Sequence, residues 1–474
     1  MHHFFPVMKS PLLALLLATT CALTVSAATA VPVAITIDSS NPSPALPDDY
    51  AGLSYETKRE MPDEAGKYYF SGDNTALATM FRTLGIKNLR IGGNMVDSPK
   101  VSIPVNADID QLFAFAKEAD AKVIYSFRLH NGDAAGSATQ ARYIADHYAA
   151  NLLCFSIGNE PDIYIHSWDG YMKNFQPIYD AINQAVPDAK YCGPSLTSNA
   201  RPWAHDFAAK YFPEGKIIYI GQHEYAGGAG GKQKDPVAGR DLMLSPEWHD
   251  IYQKYYDKLV PGLNKVPWRL EEANNFYNGG AQDISDTFAS ALWGLDYLYW
   301  YAAHGAQGIN FHNGDQVAAG QQLAPCRYAS FTSVPDGYFA HPLAYAIKIF
   351  NLGSKGQMVA STVKPDVADL NFVAYAVLGA DKHLYVTLIN KEHNANGRDA
   401  DVTIQTGGNY TQAESIALTA PNGDVSAKDG ITLGGAGISH DGTLKETWSA
   451  APAPSGGTLH ITVPACSVLL VRLH

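Results

Sequence analysis

The chain has 474 residues and a formal net charge of −12, from 34 basic and 46 acidic side chains. That length exceeds one small domain and suits a large barrel with an accessory domain. An apolar content of 46% with 17% charged residues is that of an ordinary globular protein, and the acidic balance argues against nucleic acid or heparin-like polyanions as partners, which want the opposite sign.

Taken in chain order, residues 1–30 read as a secretory signal peptide. Lys9 gives a positive start and residues 11–25 an apolar core. Ala28-Thr29-Ala30 offers a small-x-small cleavage site, with Val25-Ser26-Ala27 as the alternative. The run is short for a bilayer span and no stop-transfer pattern follows, so the mature chain is expected to be secreted or periplasmic and without a membrane anchor. Cys21 belongs to this leader. The remaining Cys154, Cys192, Cys326 and Cys466 show no CxxC or metal-ligand spacing. Export permits disulfides, but four cysteines cannot be paired from sequence. Cys154 and Cys192 fall on strands expected side by side, where a free pair and a bridge fit the pattern equally.

Residues 31–45 follow, with an alternating run at 33–37 expected to join a C-terminal sheet domain. From residue 51 to about 350, β-rich runs alternate with amphipathic helical stretches. Strands are predicted at 51–56, 87–93, 122–129, 152–159, 190–194, 217–225, 266–272 and 308–312. Helices are predicted at 73–84 (capped by Asp73), 109–119, 137–149, 171–185, 203–212, 247–259 and 285–303. Eight such units predict a (β/α)8 TIM barrel over residues 46–352. A doubly wound sheet is the rival, but no Gly-x-Gly-x-x-Gly follows the first strand. Beyond about residue 356 come short period-2 strands at 369–378, 383–390, 401–405, 414–418, 458–463 and 466–473, separated by Gly/Asn/Pro turns. They predict an accessory antiparallel β-sandwich over 353–474. The Gly-rich stretch 226–231 is a loop rather than a phosphate cradle. A Walker pattern needs Gly at 226 and Ser or Thr at 233, where the chain has Ala226 and Gln233.

Two carboxylic acids carry the chemistry. Asn159-Glu160-Pro161 ends the apolar run 152–158, and Glu272 follows the run 266–270. As ends of the predicted fourth and seventh strands, both face the C-terminal mouth of a barrel. Glycoside hydrolysis needs one carboxyl to protonate the leaving oxygen and a second to attack the anomeric carbon or activate water. The placement is compatible with a separation of roughly 5–5.5 Å and a retaining outcome. A neighbouring carboxylate keeps the acid protonated and leaves its partner as nucleophile, and Asn159 is placed to hydrogen-bond the sugar 2-OH. Glu160 alone reads as an ordinary loop carboxylate; its pairing with Glu272 points to catalysis. Glu271 competes for the nucleophile's role. Adjacent strand residues face opposite ways, so only one of the two is expected at the mouth, and the pattern does not choose.

Other polar residues have plainer readings beside the functional ones. Glu56 and Asp97 stand at strand ends, where they can accept from sugar hydroxyls or pair with Arg90 or Lys58. His223 is expected to orient Glu160 or a loop. No His/Asp/Glu cluster has ligand spacing, so neither a metal nor an organic cofactor is expected. His130 and His312 fit the mouth and the packed interior equally.

Several segments together resemble glycoside hydrolase family 79, the β-glucuronidase and heparanase family, in its bacterial form. Segment 272–289, Glu-Ala-Asn-Asn-Phe-Tyr-Asn-Gly-Gly-Ala-Gln-Asp-Ile-Ser-Asp-Thr-Phe-Ala, is similar to the family's nucleophile segment. Segment 154–161, Cys-Phe-Ser-Ile-Gly-Asn-Glu-Pro, resembles its acid/base strand. Segments 89–97, 222–225, 310–314 and 326–328 resemble further strand-end motifs, so that the likeness spans roughly residues 33–473.

The resemblance implies a retaining β-glucuronidase with Glu160 as acid/base and Glu272, not Glu271, as nucleophile. Its substrate would be a glucuronide or a glucuronic-acid-containing oligosaccharide ending in β-linked glucuronic acid, a 4-O-methylated sugar included. It also implies that the sugar carboxylate is held by Tyr277 and the N–H groups of Asn278 and Gly279, with Tyr225 touching the nucleophile or the carboxylate and Tyr328 closing over it. Oriented neutral donors in a dry pocket can stabilise an anion. One departure stands out: Asn278-Gly279-Gly280 replaces the glycine triplet that relatives often carry. Three rivals remain: a retaining glycosidase with a neutral glycon, a heparanase-like endo-glucuronidase, and a non-catalytic carbohydrate-binding barrel. The convergent tyrosines, the acidic charge and the presence of both carboxylates argue against them in turn.

Overall fold

The structure, a computed structural model, describes residues 1–3, 30–199, 201–319 and 322–474. The signal peptide expected over residues 1–30, with its Cys21, therefore lies, apart from its ends, outside the described residues. No helix among the described residues is long and apolar enough to cross a membrane.

The first strand, β1 (Val31–Asp38), alternates buried and exposed residues along its whole length. It leads to the expected barrel. The parallel strands β2 (Ala51–Glu56), β3 (Asn88–Gly92), β4 (Lys122–Phe127), β5 (Leu152–Ile157), β6 (Tyr191–Leu196), β7 (Ile217–Tyr225), β8 (Trp268–Asn274) and β9 (Ile309–His312) close on one another, β9 against β2. These strands are buried on both faces, as a parallel sheet covered by helices requires. The outer helices are α1 (Thr75–Leu84), α2 (Asn106–Glu118), α3 (Ala134–Tyr148), α4 (Trp168–Ala185), α5 (Arg201–Tyr211), α6 (Pro236–Leu244), α7 (Glu247–Leu259), α8 (Phe288–Ala303) and α9 (Pro342–Gly353). Asn74, not Asp73, caps α1, accepting from the Leu77 N–H, and the helix stops at Gly85 with φ 74°.

Two hairpins, β10 (Gln316–Ala319) with β11 (Gln322–Pro325) and β12 (Phe331–Val334) with β13 (Gly337–Ala340), fill the connection from β9 to α9. The accessory domain holds β14 (Gly356–Pro365), β15 (Phe372–Gly379), β16 (Leu384–Asn390), β17 (Ala400–Gln405), β18 (Ala413–Thr419), β19 (Thr432–Leu433), β20 (Ser449–Ala450), β21 (Thr458–Val463) and β22 (Ser467–Leu473). Residues 356–359 of β14 pair with β15 and residues 360–365 with β1, so one strand belongs to both layers. Val33, Ile35, Val386, Leu388, Val402 and Val471 pack between the layers. The sandwich is antiparallel except where β1 runs parallel to β17.

Among the elements that escape the sequence pattern, three do so for a plain physical reason. α9 is buried almost all round and shows no polar face. α6 is a short helix inside a long loop. β14 mixes polar and apolar residues, with only three of them buried. All four described cysteines are buried and unbridged, Cys154 and Cys192 on neighbouring strands.

Candidate active site

β5 stops at Ile157, and the chain turns through Gly158 (φ 86°) to place Glu160 in the left-handed region (φ 45°, ψ 50°). That conformation is costly for a residue with a Cβ, by about 1–3 kcal/mol, and persists only where the surroundings enforce it. They do so here. The Asp97 carboxylate accepts the N–H groups of Leu129 (2.7 Å), His130 (2.9 Å) and Asn159 (2.8 Å) and the Tyr164 hydroxyl (2.9 Å), and the Glu160 N–H donates to the Ser195 carbonyl at 2.8 Å. This corrects the expectation for Asp97. Both its oxygens are engaged by the protein, it does not line the cavity, and it holds the Asn159–Glu160 turn in place instead of reaching a sugar hydroxyl.

β8 breaks its register between Leu270, opposite Ile309, and Ala273, opposite Phe311, and β7 shifts against it between Gln222 and His223. Such a bulge suspends the alternation of faces. Glu271 and Glu272 therefore both point into the barrel, and the expectation that only one would do so is wrong. Glu271 is fully buried below, against Cys192 (3.0 Å). Glu272 stands at the mouth. One oxygen accepts from Arg90 Nη1 at 2.6 Å and the other from the Tyr225 hydroxyl at 2.8 Å, with His312 Nδ1 at 3.7 Å. Burial alone would raise the pKa of Glu272, but its neighbours, His312, Arg90 and the Tyr225 hydroxyl among them, overcome it and hold it at about 2. The carboxylate is thus ionised at neutral pH. Burial lowers the pKa of His312, yet Glu272 and Glu56 leave it raised overall. Arg90 also donates to the side-chain oxygen of Asn159 (2.7 Å), whose amide donates to Asn94 (2.8 Å). Asn159 is engaged at both ends, and Asn94 reaches the cavity in its place.

Glu160 Oε1 lies 3.0 Å from His223 Nδ1. Glu160, His223 and Glu272 each bring one oxygen or nitrogen within 4.8 Å of the others. Those three groups could hold a cation, but the oxygens of Glu272 already bind Arg90 and Tyr225, an arrangement suited to a paired acid and nucleophile. They open on a cavity of about 550 Å³ whose described lining contains no Lys or Arg. Glu56 lines it as expected, held by the Met95 N–H (2.9 Å), the Ala318 N–H (3.0 Å) and His312 (3.5 Å), and pairs with neither Arg90 nor Lys58.

Tyr225, Tyr277, Asn278 and Tyr328 line the opposite wall. Tyr277 is 41% exposed, whereas Tyr328 is buried with its ring 6.2 Å from that of Tyr225. Asn278, Gly279 and Gly280 have φ of 61°, 89° and 86°, three successive left-handed residues, and their amides donate to no acceptor among the described residues. A Cβ on Gly279 would lie 2.7 Å from the Pro325 carbonyl, so the position excludes a side chain. Gly279 itself is buried behind Asn278, its carbonyl accepting from the Arg327 N–H at 2.7 Å. His130 stacks on Tyr164, ring centres 4.8 Å apart, and does not line the cavity. Arg90 and Asn94 were not singled out from sequence. A lone arginine inside the apolar strand 88–92 was the available signal, since a buried guanidinium demands a partner.

Residues 374–470 match the glycosyl hydrolase family 79 C-terminal beta domain. Similar proteins include a beta-glucuronidase of Aspergillus niger, 23% identical over 377 residues, and one of Neurospora crassa, 25% identical over 370 residues. The chain therefore carries, over its C-terminal part, the beta domain of glycoside hydrolase family 79. The two alignments cover 68% and 64% of it, and 67% and 64% of the relatives, so the chain spans about two thirds of their length. Among solved structures, the chain resembles a 4-O-alpha-L-rhamnosyl-beta-D-glucuronidase from Fusarium oxysporum, with a TM-score of 0.71 and 18% identity over 94% of this chain and 99% of the other. A GH51 arabinofuranosidase from Xanthomonas axonopodis pv. citri shares the fold with a TM-score of 0.66 and 14% identity over 94% and 100% of the two chains. At such identities the structural likeness speaks for the fold alone.

Proposed function

We propose that the protein is a retaining β-glucuronidase that releases terminal β-linked glucuronic acid, 4-O-methylated or not, through a covalent glycosyl–enzyme intermediate. The observation that carries this reading is the approach of Glu160 and Glu272 within 4.8 Å at one cavity, close to the roughly 5–5.5 Å that retaining enzymes use and far short of the roughly 6.5–9.5 Å that leaves room for an inverting water. Glu272, ionised and aimed by Arg90 and Tyr225, attacks the anomeric carbon while Glu160 protonates the leaving oxygen. Glu160 then takes a proton from water, which hydrolyses the glycosyl ester. A sugar 2-OH is received at Asn94, whose side chain Asn159 holds in place. The sugar carboxylate is received by Tyr277, Tyr328 and the unengaged amide of Asn278, where successive left-handed residues make an anion-accepting concavity.

The names of the Aspergillus niger and Neurospora crassa proteins support glucuronic acid as the glycon. The cavity's lack of described cations and its four carboxylates, Glu56, Glu160, Asp162 and Glu272, favour exo-cleavage next to an uncharged aglycone over endo-cleavage of a sulfated chain. We further propose a leader at 1–30, a sandwich strand within 31–45, a catalytic barrel over 46–352 and a sandwich over 353–474, with the mature protein secreted or periplasmic. The test compares hydrolysis of 4-nitrophenyl β-glucuronide and β-glucoside, with proton NMR of the first sugar released. Preference for the glucuronide with the β-anomer appearing first is expected; preference for the glucoside, or the α-anomer first, overturns the reading.

A further inference from the structure

Glu271 has no part in the mechanism above, yet the fold makes room for it. The residue is fully buried. Across the β7–β8 pairing a Cβ on Gly221 would lie 2.4 Å from its carboxyl carbon, so the slot exists because residue 221 has no side chain. One oxygen of Glu271 accepts from Cys192 Sγ at 3.0 Å. The other has no hydrogen-bond partner among the described residues and lies 3.9 Å from His223 Nε2, which has none among them either. The opposite nitrogen of the same ring, Nδ1, is 3.0 Å from Glu160 Oε1. A buried carboxylate with a free oxygen thus faces one end of an imidazole whose other end meets the proposed acid.

We propose that Glu271 is a positioning residue that fixes the tautomer of His223 and, through it, the proton of Glu160. An anion opposite Nε2 keeps the imidazole proton on that nitrogen. Nδ1 is then a lone pair, able to accept from a protonated Glu160 and unable to donate to an ionised one. Glu160 keeps its proton, hydrogen-bonded to Nδ1, until substrate arrives and the leaving oxygen takes it. Without Glu271 the proton can reside on Nδ1, which favours the ionised Glu160 and disarms it. The groups around the ring share this field: Glu272 on the same strand as Glu271, Arg90 from β3, and Glu160 from the β5 turn. The proposal rests on Glu160 being the acid, as read above.

The experiment measures kcat/KM for 2,4-dinitrophenyl, 4-nitrophenyl and phenyl β-glucuronides on wild type, Glu271→Gln and Glu271→Asp. Dinitrophenolate leaves without protonation, whereas phenol needs the acid. Glu271→Gln is expected to lose about 10²-fold on the phenyl substrate and less than about threefold on the dinitrophenyl one, with Glu271→Asp between wild type and Gln on the phenyl substrate. Asp keeps the carboxylate and supplies the same comparison should the Gln variant fail to fold. Equal losses on all three substrates, or no loss on any, overturn the proposal in favour of a packing role. In both of those outcomes wild type releases every phenol. If wild type releases none, the glucuronidase reading has failed and the positioning role falls with it.

Discussion

The barrel mouth and the seam between barrel and sandwich each bury a carboxylate, and they use it differently. At the seam, Asp296 on α8 accepts from Lys391 Nζ (2.8 Å), His249 Nε2 (2.8 Å) and the Tyr375 hydroxyl (2.6 Å), groups from the end of β16, from α7 and from β15. Burial would raise its pKa, but Lys391 and His249 hold it below the ordinary carboxylate range. Glu272 is also buried and also depressed against its burial. It has one cation and one hydroxyl in direct contact, and the rest of it faces a cavity. The same pairing of buried anion with cation thus joins two domains where every oxygen is enclosed, and leaves a nucleophile where one side stays open.

That contrast can be tested by neutralising each carboxylate. Glu272→Gln is expected to lower kcat by roughly 10⁴-fold or more while circular dichroism and substrate binding are kept; an active variant removes Glu272 from the chemistry. Asp296→Asn should do the reverse. Leaving Lys391 buried without its anion costs about 3–5 kcal/mol of stability, read by urea unfolding, with kcat/KM of the folded enzyme within about twofold of wild type. A normal urea midpoint in that variant shows that the seam does not depend on the pair.

Acid sensitivity follows from the same depressed carboxylates. A carboxyl whose pKa is lowered in the fold contributes stability above its unfolded value, and loses it as pH falls through the folded value. For Glu272 the window runs from its ordinary value of 4.5 down to about 2. Wild-type stability should therefore fall across that range, with Asp296 adding to the loss from its ordinary value of 3.8 downward. The fall should be shallower in Asp296→Asn; an identical slope in the two proteins contradicts the assignment. The smallest effect belongs to the half-exposed wall of the cavity. Tyr277→Phe removes one neutral donor from the proposed carboxylate site and should raise KM by about tenfold, the worth of about 1.5 kcal/mol for a hydrogen bond to a charged group, with kcat little changed and no effect on a β-glucoside.

The barrel was readable because its strands are short β-rich runs separated by helical periods. β2 and β7 begin and end where the pattern puts them, at 51–56 and 217–225. The contact of His223 with Glu160 was also foreseeable, since both stand at strand ends of one mouth. Hidden features depend on contacts that local sequence does not encode. The β8 bulge turns both Glu271 and Glu272 inward, although the run 266–272 looks like a regular strand. Arg90 meets Glu272 across 182 positions of the chain. Asp97 has the composition of a sugar ligand and the partners of a loop anchor, a distinction that exists only once Leu129, His130, Asn159 and Tyr164 converge on it.

Trapping the covalent intermediate tests whether Glu272 attacks the sugar. Incubation with 2-deoxy-2-fluoro-β-D-glucuronosyl fluoride, whose fluorines slow breakdown of the glycosyl ester more than its formation, should inactivate the enzyme, and peptide mass mapping should place one fluoroglucuronosyl group on Glu272. A label on Glu271 or any other residue, or an enzyme that stays active and unlabelled, contradicts the account.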